Sequence, residues 1–280
     1  MNMQVFDARA CALGEGPLWH PVRQQLFWFD ILGMRLMTQD AGQSKHWQFD
    51  EHVSAAGWID ENTLLIASET MLLAFDLTTG EKTKLIGLEA DQPLTRSNDG
   101  RADPWGGFWI GTMGKQAEPG LGAIYRYFKG TLRQLYASIT ISNAICFSPD
   151  KRFAYFTDTP TRRVMRQALD DSGWPVGTPE VHINLSQDKL NPDGAVVDRD
   201  GFLWVAQWGA GRVARFDATG TFTSKVDFAA SQMTCPAFGG PDLSTLFATS
   251  AAVGVTEASA GQTFACKTGF HGQKEHQVIL

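Results

Sequence analysis

Four oxygen-bearing side chains, Glu15, Asn98, Asn143 and Asp193, each stand first in a seven-residue segment: EGPLWHP, NDGRADP, NAICFSP and DGAVVDR. Two carboxylates with one or two amide oxygens, held on separate rigid strands, would form a hard-oxygen site. Such ligands suit Ca²⁺, Mg²⁺ or Mn²⁺ and do not exclude Zn²⁺ or Fe²⁺. Three protein ligands leave positions open to water or substrate. A cation there can polarise a carbonyl oxygen or lower the pKa of water. The same four side chains would also serve simply to wet a water-filled channel, and their types alone leave both readings open. Arg96 lies two residues before Asn98. Alternate residues of a strand share a face, so Arg96 should point with Asn98. Its planar fork grips carboxylate, hydroxyl or carbonyl oxygens, or forms a salt bridge at a rim. Lys115, Gln116 and Glu118, in GTMGKQAEPG, follow a strand-like run and are expected to cover the mouth of the channel.

Other chemistry is poorly represented. There is no G-x-S-x-G elbow and no H-E-x-x-H. His20 falls at a repeated turn position and reads as structural, and His46 and His52 flank WQFDE near an outer loop. Trp28, Trp109 and Trp204 read as core, and Trp105 and Trp208, nearer turns, as packing residues.

What must position the four side chains is a repeat. Short apolar runs (LFWFDI, TLLIAS, GFWIGT, FAYFTD, FLWVAQ, TLFATS) alternate with Gly, Pro and Asp turns, the pattern of an all-β fold. After the first, shorter interval they recur at roughly 40 to 50 residues, the period of propeller blades. The segments before them align without gaps once AAGWIDE from Ala55 and CPAFGGP from Cys235 join the four above. Their sixth and seventh positions hold turn formers such as Asp60, Asp103, Ser148, Asp198 and Pro. Six units predict a six-bladed β-propeller over residues 1–280 as one domain. The first strand of each blade would line the channel, with Glu15, Ala55, Asn98, Asn143, Asp193 and Cys235 as a ring. QVFDA near the start and HQVIL at the end both read as strands, so one blade should close with strands from both termini. GVTEASAGQ, residues 254–262, reads as a loop of that blade.

Composition narrows the partners. The chain has 280 residues, 43% hydrophobic, and a formal charge of −6. No basic stripe offers itself to nucleic acid or an anionic membrane. No apolar run reaches the roughly 18 residues of a membrane span, and the N-terminus lacks a signal-peptide pattern. Cys11, Cys146, Cys235 and Cys266 are widely spaced without C-x-x-C, so they read as reduced and buried. The expectation is a cytoplasmic protein whose partner is a small molecule, with no obligate protein partner.

The chain also resembles the senescence marker protein/regucalcin/gluconolactonase family of six-bladed propellers. The resemblance is carried by LGEGPLWHP (13–21), RSNDGRADPWGGFWIGTM (96–113), ITISNAICFSPD (139–150), NPDGAVVDRDGFLWVA (191–206) and CPAFGGPD (235–242), in that order. It implies a divalent metal held by Glu15, Asn143 and Asp193, substrate contacts from Arg96 and Asn98, and Asp193 as the acid/base group. It further implies metal-dependent hydrolysis of a sugar-acid lactone in sugar catabolism. The GTMGKQAEPGLGAIYRY stretch looks like that of bacterial sugar lactonases, which adds Lys115 and Gln116 as substrate contacts. Gln116 departs from some animal members, where an acidic residue would meet the sugar. A non-catalytic, metal-binding regulatory propeller is the alternative.

Overall fold

The structure, a computed structural model, describes residues 3–40 and 42–280. Its strands are β1 (Met3–Asp7), β2 (Gly14–His20), β3 (Gln25–Asp30), β4 (Arg35–Asp40), β5 (Gln43–Gln48), β6 (Val53–Trp58), β7 (Thr63–Ser68), β8 (Met71–Asp76) and β9 (Lys82–Gly87). These are followed by β10 (Thr95–Ala102), β11 (Phe108–Gly114), β12 (Gly122–Phe128), β13 (Thr131–Ile139), β14 (Ser142–Phe147), β15 (Phe153–Asp158), β16 (Arg163–Ala168) and β17 (Glu180–Asn184). The last are β18 (Asn191–Val197), β19 (Leu203–Trp208), β20 (Arg212–Phe216), β21 (Phe222–Asp227), β22 (Met233–Gly239), β23 (Thr245–Ser250) and β24 (Thr263–Lys267). They form six four-stranded antiparallel sheets. Five follow chain order, β2 to β5, β6 to β9, β10 to β13, β14 to β17 and β18 to β21, and the sixth runs β22-β23-β24-β1. The fold is a six-bladed β-propeller.

Each aligned segment lies on the innermost strand of a blade, which is why the repeat was visible. The turn that follows is built as its residue types require. Asp103 accepts the backbone N–H of Trp105 and of Gly107, both at 2.9 Å, and its other oxygen takes the buried Arg126 Nε at 2.7 Å. Asp198 repeats the device with Asp200, Phe202 and Arg215. The core consists of apolar clusters between successive blades. Phe27, Phe29, Leu64 and Phe75 pack blade one on blade two, and equivalent clusters fill the other junctions around the circle. Trp28, Trp109 and Trp204, at matching places in β3, β11 and β19, are fully buried there. All four cysteines are buried and free.

The ends of the chain behave differently from each other. β1 pairs with β24 and covers the outer edge of the sixth sheet. HQVIL does not enter that sheet. Residues 268–280 instead run as an irregular strap across the closed end of the channel. The strap's Gly272 N–H donates to Leu243 O of blade six, and Gln273 Nε2 donates to Val197 O of blade five and Phe147 O of blade four. Glu275 forms a buried ion pair with Arg101 of blade three. Val278 N–H donates to Trp58 O of blade two. Polar groups of five blades, at or just beyond the ends of their innermost strands, take hydrogen bonds or an ion pair from this one segment, which outweighs the local strand propensity of HQVIL. GVTEASAGQ is a loop between β23 and β24.

Candidate functional site

The opposite end of the channel is open. At that end the first residues of the innermost strands surround a cavity of about 370 Å³, whose lining includes Glu15, Arg96, Asn98, Asn143 and Asp193. All five are buried. Ala55 and Cys235, at the same position in the other two blades, are buried outside that lining. The convergence has a local cause. Every innermost strand breaks register with its neighbour beside its ring residue: between Glu15 and Leu18, Val53 and Ala55, Ser97 and Gly100, Asn143 and Cys146, Pro192 and Ala195, Met233 and Pro236. A bulge of this kind re-aims a side chain out of the pleat, here toward the axis. Gly16, at φ 53°, makes the first one possible, since a Cβ there would lie 2.2 Å from Ser54 O.

The hydrogen bonds fix the polarity of each amide. Thr159, in the short 3₁₀ turn Thr159–Thr161 after β15, donates its hydroxyl to Pro192 O at 2.8 Å. A carbonyl can only accept, so that hydroxyl's one proton is committed, and its lone pair takes Asn143 Nδ2 at 3.0 Å. Asn143 therefore turns Oδ1 away from Thr159. Asn98 Nδ2 donates to Ser142 O at 2.9 Å and to Asn143 Oδ1 at 3.2 Å, and Asn98 Oδ1 accepts Arg96 Nη1 at 2.8 Å. Arg96 and Asn98 do share a face and a hydrogen bond.

The carboxylates are left poorly compensated. Glu15 Oε2 accepts the Gly16 N–H at 2.8 Å. Burial, then the nearby Asp99 carboxylate, pushes the Glu15 pKa up to about 8 against the pull of Gly16 N–H and Arg96. Burial, then Glu15 and Asp99, raises Asp193 well above the usual carboxylate range. Asp99, whose Oδ2 takes the Ile145 N–H at 2.7 Å, is itself pushed up to about 6 by burial. Burial brings Arg96 down to about 10 although Glu15, Glu69 and Asp193 oppose it. No group of three or more His, Cys, Asp or Glu is placed to hold a metal among the described residues. The donor set is instead two carboxylates with an amide oxygen, all hard oxygens. Two desolvated carboxylates that raise each other's pKa, with no ion pair of their own among the described residues, fit a divalent cation, whose charge would favour both ionised forms.

Lys115 and Gln116 are not brought to this cavity. β11 ends at Gly114, and the two residues after it, in a turn with Ala117 at φ 57°, lie outside the cavity lining. Lys115 Nζ pairs with Glu69 of blade two and donates to Pro93 O at 2.8 Å, and Gln116 is exposed. The mouth is formed by other residues, Leu13, Met113, Pro160, Trp208 and Val253 among them. Trp208, a packing residue by its sequence context, and Thr159 lie at or just beyond the ends of second strands, where residue type differs from blade to blade, so the sequence does not single them out.

A family model described as the SMP-30/gluconolactonase/LRE-like region matches residues 13–252. The chain belongs to the SMP-30/gluconolactonase/LRE-like family. Within it, a relative from Rhizobium meliloti (strain 1021) that carries the name of a sugar lactone lactonase is 39% identical over 93% of this chain and 92% of its own. A pentonolactonase of Haloferax volcanii is 34% identical over 90% of this chain and 86% of its own. The crystal structure of a calcium-binding protein, regucalcin, from Agrobacterium tumefaciens superposes with a TM-score of 0.96 at 39% identity, covering 99% of this chain and 97% of that one. Among the described residues of this SMP-30/gluconolactonase/LRE-like chain, no helix is long and apolar enough to cross a membrane.

Proposed function

We propose that this protein is a metal-dependent sugar lactonase, hydrolysing an aldonolactone to the aldonic acid in sugar catabolism. The observation that carries the reading is the conjunction, in one cavity, of the Glu15–Asp193 carboxylate pair with the hydrogen-bonded pair Arg96 and Asn98. Lactonase relatives of similar length support it. A buffer or regulatory propeller would need the first pair and has no use for the second.

Glu15, Asn143 Oδ1 and Asp193 would hold one divalent ion, Ca²⁺, Zn²⁺, Mn²⁺, Mg²⁺ or Fe²⁺. When bound, the ion supplies Lewis acidity toward the lactone carbonyl. Arg96 and Asn98 orient the ring through its oxygens. Asp193 accepts a proton from the attacking water as its oxygen bonds to the carbonyl carbon, and returns it to the ring oxygen as the acyl–oxygen bond breaks. The buried walls limit bulk water and strengthen these contacts.

The test is a panel of aldonolactones given to chelator-stripped protein resupplied with each ion in turn, with acid release followed at neutral pH. Acceleration over the spontaneous rate is expected with at least one pairing, and its absence with all of them would favour the binding module. Asp193→Asn should lose both ion affinity and turnover. Near-normal activity in that variant would remove Asp193 from both roles.

A further inference from the structure

The cavity has two tiers with different chemistry. Alternate residues on one strand face lie about 6–7 Å apart. Glu15, Asn98, Asn143 and Asp193 form the deeper tier, and the residues two places earlier in the chain, Arg96 and Asn191 on their strands and Leu13 and Ile141 just before theirs, form the outer one. The deeper tier is wholly polar, whereas half of the outer tier is aliphatic. Around it stand Met113 from β11, Pro160 from the 3₁₀ turn, Trp208 from the end of β19 and Val253 beyond β23.

Little hydrogen-bonding capacity remains at that level. The Thr159 hydroxyl has its proton on Pro192 O and one lone pair on Asn143 Nδ2. Asn191 Oδ1 accepts Arg162 Nε at 3.1 Å, which leaves that oxygen one lone pair beside the two N–H donors of its amide. Arg96 uses Nη1 on Ser97 O and Asn98 Oδ1 and keeps the rest of its fork, which is donors alone. A ligand whose carbonyl reaches the deeper tier thus meets two donors and a mostly apolar collar. Hydroxyls directed at Leu13, Met113, Ile141, Pro160 or Val253 would find no partner there, while C–H and methyl groups would pack on these side chains and on the Trp208 face.

Resting on the lactonase reading, we infer that the preferred substrate is a sparsely hydroxylated aldonolactone, a 6-deoxy-hexonolactone, over its counterpart that carries a terminal hydroxymethyl group. The collar made by Trp208, Met113, Ile141, Leu13, Pro160 and Val253 selects it. An apolar wall rejects an added hydroxyl by at most roughly 100-fold, and an open mouth by less, so a preference of about 5- to 10-fold in kcat/KM is expected.

Matched pairs isolate the effect: D-galactono-1,4-lactone against its 6-deoxy counterpart D-fucono-1,4-lactone, and L-mannono-1,4-lactone against L-rhamnono-1,4-lactone. Each pair shares its stereochemistry and differs by one hydroxyl. With the ion-loaded protein, the deoxy member of each pair that is turned over should have the higher kcat/KM, mainly through a lower KM. Val253 is 44% exposed, so Val253→Asn should fold, and it should bring the ratio back toward one by giving the collar an acceptor. Equal or better use of the fully hydroxylated lactones, or a ratio unmoved in Val253→Asn, would overturn the inference while leaving the lactonase reading intact. Failure to hydrolyse any of the four, or any other aldonolactone, with any of the five ions would overturn both.

Discussion

Asn143 can turn either end of its amide to the cavity, and Thr159 decides which. Thr159 Oγ1 has its proton on Pro192 O, so only the –NH₂ end of Asn143 can meet it. Thr159→Val keeps the shape and removes the acceptor. The amide then loses its lock, and divalent-ion affinity should fall by about 10- to 100-fold, the usual effect of losing a partner behind a metal ligand. Thr159→Ser keeps the hydroxyl and should restore most of it. Calorimetric titration with Ca²⁺ and Mn²⁺ measures both variants, and equal affinity in Thr159→Val and the parent protein would show that Asn143 needs no such orientation. At this scale the sequence was legible where a residue sits in the repeat. Glu15, Asn98, Asn143 and Asp193 were found by alignment, and Arg96 by counting two from Asn98. Thr159 belongs to the turn after β15, whose counterpart after β3 (Ile31–Met34, closed by the same backbone hydrogen bond) carries isoleucine at that place, so the repeat does not mark the position as polar. Lys115 and Gln116 show the converse: being close to a cavity strand in sequence did not bring them to the cavity, because Glu69 on the neighbouring blade holds Lys115.

The strap is the element whose energetics are least visible in its own sequence. Its Glu275 is 9% exposed and paired with Arg101, which is 8% exposed. Burial alone would lower the Arg101 pKa, but Glu275, joined by Cys235, Asp99 and Cys146, more than offsets it and holds the guanidinium above its ordinary value. Removing one partner strands a buried charge. Glu275→Ala should therefore cost about 3–5 kcal/mol of stability, whereas the double substitution Arg101→Met with Glu275→Leu should cost much less. Urea denaturation of the two variants tests this, and similar losses in both would mean that packing, not charge, dominates. HQVIL reads as a strand because it holds the β-branched pair Val278 and Ile279 in a short apolar run. Val278 does bury its side chain, against the junction of blades two and three, but its backbone partners are ends of other strands.

The whole molecule is a ring of blades, and its stability depends on groups far from the cavity. His182, on β17 at the outer edge of blade four, packs against Tyr155. Burial, then Arg166, lowers its pKa from 6.5 to about 4. A depressed folded-state value means that the folded protein resists a proton which the unfolded chain accepts near pH 6.5. The contribution of neutral His182 is thus intact above 6.5 and is lost as the pH falls toward 4. His182→Gln should flatten the decline of unfolding free energy across that window, measured as the difference from the parent in denaturant titrations at stepped pH. Parallel declines would show that His182 titrates alike in both states.

The sequence by itself determined the blade count, the innermost strands and the deeper tier of the cavity, because each is repeated. A periodic constraint, turn chemistry after an apolar run, prints the same residues at the same spacing, and a ring residue inherits its place from that register. Only the tertiary structure decided the amide polarities, the apolar collar, the strap and the route of the Lys115 turn. Each of these depends on contacts between blades that are distant in the chain and occur once. Such contacts leave no periodic trace, since what selects them is the geometry of closing six sheets into a circle.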